Sequence, residues 1–146
     1  MFYIKTEVTD DICLITVECK GKVIQCLTRI KKELKQRNIK TYYSSILSLS
    51  GKNNSIIIAI GENDLYPWLA LISCIKDNTD ITGCTMNSSN TQICWDKSDC
   101  NIYDIAEKYE DKIRLIYECN NKGCIICENQ IKHKLTAKIE ALWFST

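Results

Sequence analysis

Across residues 12–61 the apolar positions first run almost unbroken, then recur at helical spacing, then cluster in two further strand-like runs. The β-branched stretch 12–19 stops at Lys20-Gly21. Val23, Leu27, Ile30 and Leu34 then follow at spacings of four, three and four, with Ile24 widening the stripe, which predicts a helix over 22–38. Strands are predicted over 40–50 and 55–60, joined by the turn Gly51-Lys52-Asn53-Asn54. Asn63 or Asp64 caps a helix over 65–76, with Pro67 in its first turn and Leu69, Leu71, Ile72 and Ile75 inward. Trp68 reads as a core aromatic, and residues 81–86 as the next strand.

Flanking this stretch, residues 2–8 alternate weakly and Thr9-Asp10-Asp11 reads as a hairpin turn into the strand 12–19. Asn87-Ser88-Ser89-Asn90 is polar and short, and reads as a linker. Beyond it the pattern predicts a short strand at 93–95, a helix over 100–110 capped by Ser98 or Asp99, and a strand over 113–119. Gly123 is then expected to open a helix reaching Leu135, and alternation over 137–144 predicts a closing strand.

The order strand, helix, strand, strand, helix, strand gives an α+β class. We expect a ferredoxin-like βαββαβ antiparallel sheet with helices on one face, plus a partial second α/β unit. The expected units are 1–87, and 91–146 packed on the first.

Composition excludes more than it selects. The 146 residues carry a net charge of +1 with 25% charged side chains, so no global imbalance names a polyanionic or polycationic partner. No apolar run approaches the roughly 20 residues needed to span a bilayer, and the first residues lack a signal-peptide pattern. A cytoplasmic protein without a membrane partner is the expectation.

Ten cysteines are unusual for this length. Burial as small hydrophobes, disulfide or redox pairing, and metal ligation all account for thiols in such a chain. The sharpest group is Cys119, Cys124, Cys127 and His133. A Cys-x2-Cys at a helix start lets two thiolates converge, and a Cys3His set suits zinc. Zinc is therefore the one cofactor with candidate ligands. Cys124 and Cys127 are also the candidates for a thiol redox enzyme.

An internal echo links 14–19 to 115–119, Lys20-Gly21 to Lys122-Gly123, and Cys26 to Cys127. Both glycines are thus expected where a strand gives way to a helix, a turn that presents backbone N–H groups to an anion. Catalytic motifs are absent: no His-Glu-x-x-His, Gly-x-Ser-x-Gly, phosphate loop or dinucleotide fingerprint occurs. We expect a non-enzymatic chain. A nucleic-acid partner would use the basic face Arg29, Lys31, Lys32, Lys35 and Arg37, against which a solvated helix face is the competing account.

The stretch 12–86, with Glu18-Cys19-Lys20-Gly21 at its first strand-to-helix turn, resembles an ACT-like regulatory domain. The resemblance implies a regulatory module that binds a small effector at this turn; we expect a homodimer with the ligand at Glu18, Cys19, Lys20, Gly21 and Lys22. Separately, Cys94-Trp95-x3-Asp99 leading into Ile105-Ala106-Glu107-Lys108-Tyr109 resembles the N-terminal sensor region of archaeal bacterio-opsin-activator-like transcription regulators. That resemblance implies a role in transcription regulation.

Overall fold

The structure is a computed structural model that describes residues 7–49, 53–75, 81–96, 107–119 and 122–144. It contains β1 (Glu7–Cys19), α1 (Val23–Gln36), β2 (Thr41–Leu49), β3 (Asn53–Gly61), α2 (Leu65–Ile75) and β4 (Ile81–Asp96). After these come β5 (Ile113–Cys119), β6 (Lys122–Glu128) and α3 (Lys132–Phe144), with a single 3-10 turn before each of α2, β5 and α3. The chain divides into the unit Ile12–Ser88 and a unit made of the residues before Ile12 and after Ser88. The amino-terminal segment through Asp11 clusters with the carboxy-terminal half.

Within Ile12–Ser88 the strands hydrogen-bond in the order β2-β3-β1-β4, the ferredoxin-like arrangement. The other unit runs β5-β6-β4-β1, the same plan with its last strand supplied from the start of the chain. β1/β3, β2/β3, β4/β6 and β5/β6 all pair antiparallel. β1 and β4 are long because each contributes one part to either unit.

Alternation along the strands builds the core of the first unit. Cys13, Ile15, Val17 and Cys19 of β1 join Ile56, Ile58 and Ile60 of β3 on one face. Against that face lie Cys26, Ile30 and Leu34 of α1 with Trp68, Leu71 and Ile75 of α2. Each fully buried aliphatic side chain contributes about 1.5–3 kcal/mol. Val23, Leu27, Ile30 and Leu34 pack in or against the core as their spacing predicts, while Ile24 stands 69% exposed and Cys26 turns inward. On α2, Leu69 lies toward solvent and Trp68 takes the core position.

α1 ends in a Schellman arrangement. Asn38 adopts φ 55, its N–H bonds to the Lys35 carbonyl, and Ile39 donates to the Leu34 carbonyl at 3.0 Å. Ile39 and Leu34 both belong to the core, which supplies the accompanying apolar contact.

The junctions entering α2 and α3 repeat one backbone geometry. Gly61 (φ −68, ψ 145) and Glu128 (φ −63, ψ 140) each leave a strand for a 3-10 turn and then a helix. This pair of β-turn-α units is the observed repeat. The echo of 14–19 in 115–119 is not one, because β1 is followed by a helix and β5 by a strand.

Four expectations are corrected by the strands. Thr9-Asp10-Asp11 is no turn, since β1 runs unbroken from Glu7 to Cys19. Asn87 to Asn90 lies within β4, where Ser89 takes φ 63 and ladder pairing outweighs polar composition. Gly123 starts no helix. It faces Trp95 across the β4/β6 ladder, and a Cβ there would overlap the indole ring. Residues 137–144 belong to α3, where Leu135 and Ile139 face inward four apart, following Ile131 of the preceding 3-10 turn. The helix expected over 100–110 lies mostly outside the described residues, with Glu107 and Lys108 helical.

Candidate functional site at the first strand-to-helix turn

β1 delivers two neighbouring side chains to opposite faces at its carboxyl end. Cys19 is buried and Glu18 is exposed. Lys20, Gly21 and Lys22 follow, all exposed, and Gly21 adopts φ 94, a conformation that costs a side-chain-bearing residue dearly. The Val23 N–H then donates to the Gly21 carbonyl at 2.9 Å, closing an inverse γ-turn around Lys22 (φ −78, ψ 79). This tight entry leaves only three residues between the last β1 position and the start of α1.

The helix start is electrostatically one-sided. Lys22 occupies the N-cap without a side-chain capping bond, and the first turn holds no acidic residue. First-turn N–H groups have no intrahelical acceptor, and the helix dipole adds partial positive charge there. Lys20 and Lys22 reinforce that sign. Glu18 supplies the opposite one beside them. Its carbonyl accepts from Thr82 Oγ1 at 3.3 Å, and its carboxylate lies over Gly83 of β4, where a Cβ would come within 3.2 Å of Oε2. The carboxyl end of β1 is thus an exposed corner of the unit Ile12–Ser88, with the start of α1 on the Cys19 side of the sheet and the Glu18 carboxylate over Gly83. Beneath the turn, the Cys19 and Cys26 sulfurs lie 3.2 Å apart.

The five residues Glu18, Cys19, Lys20, Gly21 and Lys22 are contiguous, and the fold keeps four of them at the surface. Beside them a shallow recess of about 530 Å³ runs along the outer side of α1, lined by Ile24, Gln25, Thr28, Arg29, Lys32 and Glu33.

The four residues considered for zinc are not brought together. Cys124 is disulfide-bonded to Cys94, its direct partner across β4 and β6, with Cα atoms 4.2 Å apart. Cys127, three residues on along a strand, faces the other way into the core of its unit, and His133 is exposed on α3. Cys119 ends β5, opposite Lys122. No group of three or more potential ligands gathers among the described residues. The convergence of Cys124 and Cys127 assumed a helix, and a strand separates them by face. The same separation removes them as a redox pair. Burial also pushes the Cys127 thiol up to about 12, with Glu128 adding to the shift, so it stays protonated at neutral pH.

On α1, Arg29, Lys31, Lys32 and Lys35 are exposed, whereas Arg37 forms an ion pair with Glu33 one turn back. The segment resembling the transcription-regulator sensor falls largely on residues outside those described.

Two features escaped sequence reasoning. The Cys94–Cys124 disulfide depends on strand register, for which a sequence separation of 30 gives no local signal. The Cys19/Cys26 pair had a usable signal: the last strand residue and the first helical turn sit side by side across a three-residue turn.

No protein-family model matches the chain, and no curated protein matches it in sequence. Solved structures do match in fold. The regulatory subunit of aspartate kinase from Thermus thermophilus, in its ligand-free form, superposes with a TM-score of 0.75 at 7% identity. That match covers 94% of this chain and 95% of the other. The aspartate kinase of Clostridium acetobutylicum, an allosteric enzyme, matches with a TM-score of 0.74 at 13% identity, over 94% of this chain and 33% of that one. Aspartokinase III of Escherichia coli, in complex with lysine and aspartate in its T-state, gives 0.62 at 12% identity, over 93% and 32%. The chain therefore has the fold of ACT-like regulatory domains and spans about a third of the two kinases.

Proposed function

We propose that this chain is a non-enzymatic regulatory module that binds a small effector of the amino-acid class at the β1–α1 turn. The observation that carries this reading is the start of α1. An uncapped helix N-terminus, entered through Gly21 at φ 94 and flanked by Lys20 and Lys22, offers N–H groups to a carboxylate. Glu18, one strand position away from Cys19, offers a counter-charge to an ammonium group. A ligand carrying both charges matches that corner, and a neighbour of the same fold has been solved with lysine and aspartate bound.

The module acts as a homodimer in this reading. β2 stands at the outer edge of the order β2-β3-β1-β4, and an edge strand is a template for pairing with a second chain. Light scattering should return twice the chain mass.

The direct test is a thermal-shift panel of free amino acids against the purified chain. A ligand present at a hundredfold excess over its Kd stabilises by about 2.7 kcal/mol, which raises Tm by several degrees. At least one amino acid should do so, while its amine-only and carboxylate-only analogues should not. Lys22→Glu should remove the shift. A flat response across the panel, or a shift untouched by Lys22→Glu, would reject the assignment.

A further inference from the structure

We propose that Cys19 and Cys26 form an oxidisable dithiol that staples the β1–α1 turn. The consequence for ligand binding rests on the effector reading above, but the chemistry and its test do not. Cys19 closes β1, Cys26 sits in the first turn of α1, and their sulfurs stand 3.2 Å apart, in van der Waals contact. Bond formation therefore requires a closing movement of about 1 Å, which side-chain rotation can supply. The two elements they join enclose Lys20, Gly21 and Lys22, the exposed residues of the candidate site. Among the described residues, Cys94 and Cys124 are already bonded to each other.

The step balances with a peroxide as oxidant. Cys26, the more accessible of the two at 7% against 2%, reacts first. Its thiolate attacks one peroxide oxygen, the O–O bond breaks, and the departing hydroxide takes up a proton to leave as water. The resulting sulfenic acid is attacked at sulfur by the Cys19 thiol. The S–S bond forms, the S–O bond breaks, and the Cys19 proton leaves with the hydroxyl as a second water. Two thiols are oxidised by two electrons, and one peroxide is reduced to two waters.

The closed ring of eight residues contains Gly21, so oxidation restricts the turn that carries α1's first N–H groups. Lys20 and Lys22 are trypsin sites inside that ring, which supplies a readout independent of any ligand.

The folded full-length chain is treated with hydrogen peroxide, then mapped by differential alkylation and peptide mass spectrometry. The expected product is a Cys19–Cys26 cross-link with a loss of about 2 Da. Native tryptic cleavage after Lys20 and Lys22 should slow several-fold in the oxidised chain and recover with a dithiol reductant. Cys26→Ser, and separately Cys26→Ala, should abolish both the cross-link and the protection. Oxidation confined to exposed Cys74 and Cys84, with Cys19 and Cys26 both still alkylatable, would overturn the proposal. So would a cross-link that leaves the cleavage rate unchanged. A positive cross-link alongside a flat amino-acid panel would uphold the dithiol and reject the effector assignment separately.

Discussion

In the unit Ile12–Ser88, β1 meets its helices with Cys13, Ile15, Val17 and Cys19. In the other unit, the corresponding part of β4 does so with Ile93 and Trp95. The first core is isoleucine, leucine and tryptophan on β3, α1 and α2, joined by Cys13, Val17, Cys19 and Cys26. Among the described residues the second comprises Ile93, Trp95, Ile125, Cys127, Ile131, Leu135 and Ile139, beside buried Asn90, Thr91 and Gln92 on β4 and a disulfide between β4 and β6. One strand order is thus realised twice by different means. Aliphatic burial suffices where strands are long and β-branched, while a covalent cross-strand link accompanies the polar strand. The thiols follow the same division: paired as a disulfide in one unit, adjacent at a turn in the other.

The largest test of this contrast is Trp68→Ala. The indole is fully buried between α2 and the sheet face of the first unit, and its loss should cost about 3–5 kcal/mol in urea unfolding. The second unit should yield most to loss of its cross-link. Replacing Cys94 and Cys124 together by alanine opens a loop with a sequence separation of 30. By chain-entropy reasoning the change should cost about 3–4 kcal/mol. Hydrogen exchange sharpens the point: β6 amides should exchange faster in that double variant while β3 amides keep their protection. Equal acceleration in both strands would erase the distinction between the units.

Gly123→Ala comes next. The added methyl overlaps the Trp95 indole, and the forced shift should cost about 1–3 kcal/mol. Gly21→Ala, at φ 94, should cost about 1 kcal/mol from backbone conformation alone. Amino-acid binding should fall with it. The smallest effect near neutral pH belongs to Cys127. Its folded thiol is raised to about 12, above the ordinary value of 9.0, so the unfolded chain ionises first. The associated stability is fully present below pH 9 and is lost as pH rises toward 12. Cys127→Ala should flatten that alkaline decline.

The first unit was legible because its periods are long and unmixed. Val23 to Leu34 recurs at helical spacing, and Ser55 to Ile60 is bounded by a polar turn. The second unit was misread where runs were short. Gly123-Cys124-Ile125-Ile126-Cys127 suits a strand or a buried helix equally, and a glycine beside it resembled a helix start. Its true reason is tertiary: Trp95 lies across it on the neighbouring strand. Ala137 to Trp143 shows both an alternation and a spacing of four, and packing through Ile139 decides for the helix. Of the two glycine turns, Gly21 is at a strand-to-helix junction and Gly123 is inside a strand. The candidate site was readable because its residues are contiguous in sequence. The contribution of Thr82 and Gly83 was not, since only the β1–β4 neighbourhood brings them to Glu18.

An amide NMR titration of the reduced chain with the panel's best amino acid reads the proposed site residue by residue. Saturable shift changes should centre on the amides of Gly21, Lys22, Val23, Ile24 and Gln25, and weaken in Lys22→Glu. Saturable changes confined to α3, β5 or β6, with the start of α1 unmoved, would contradict the assignment.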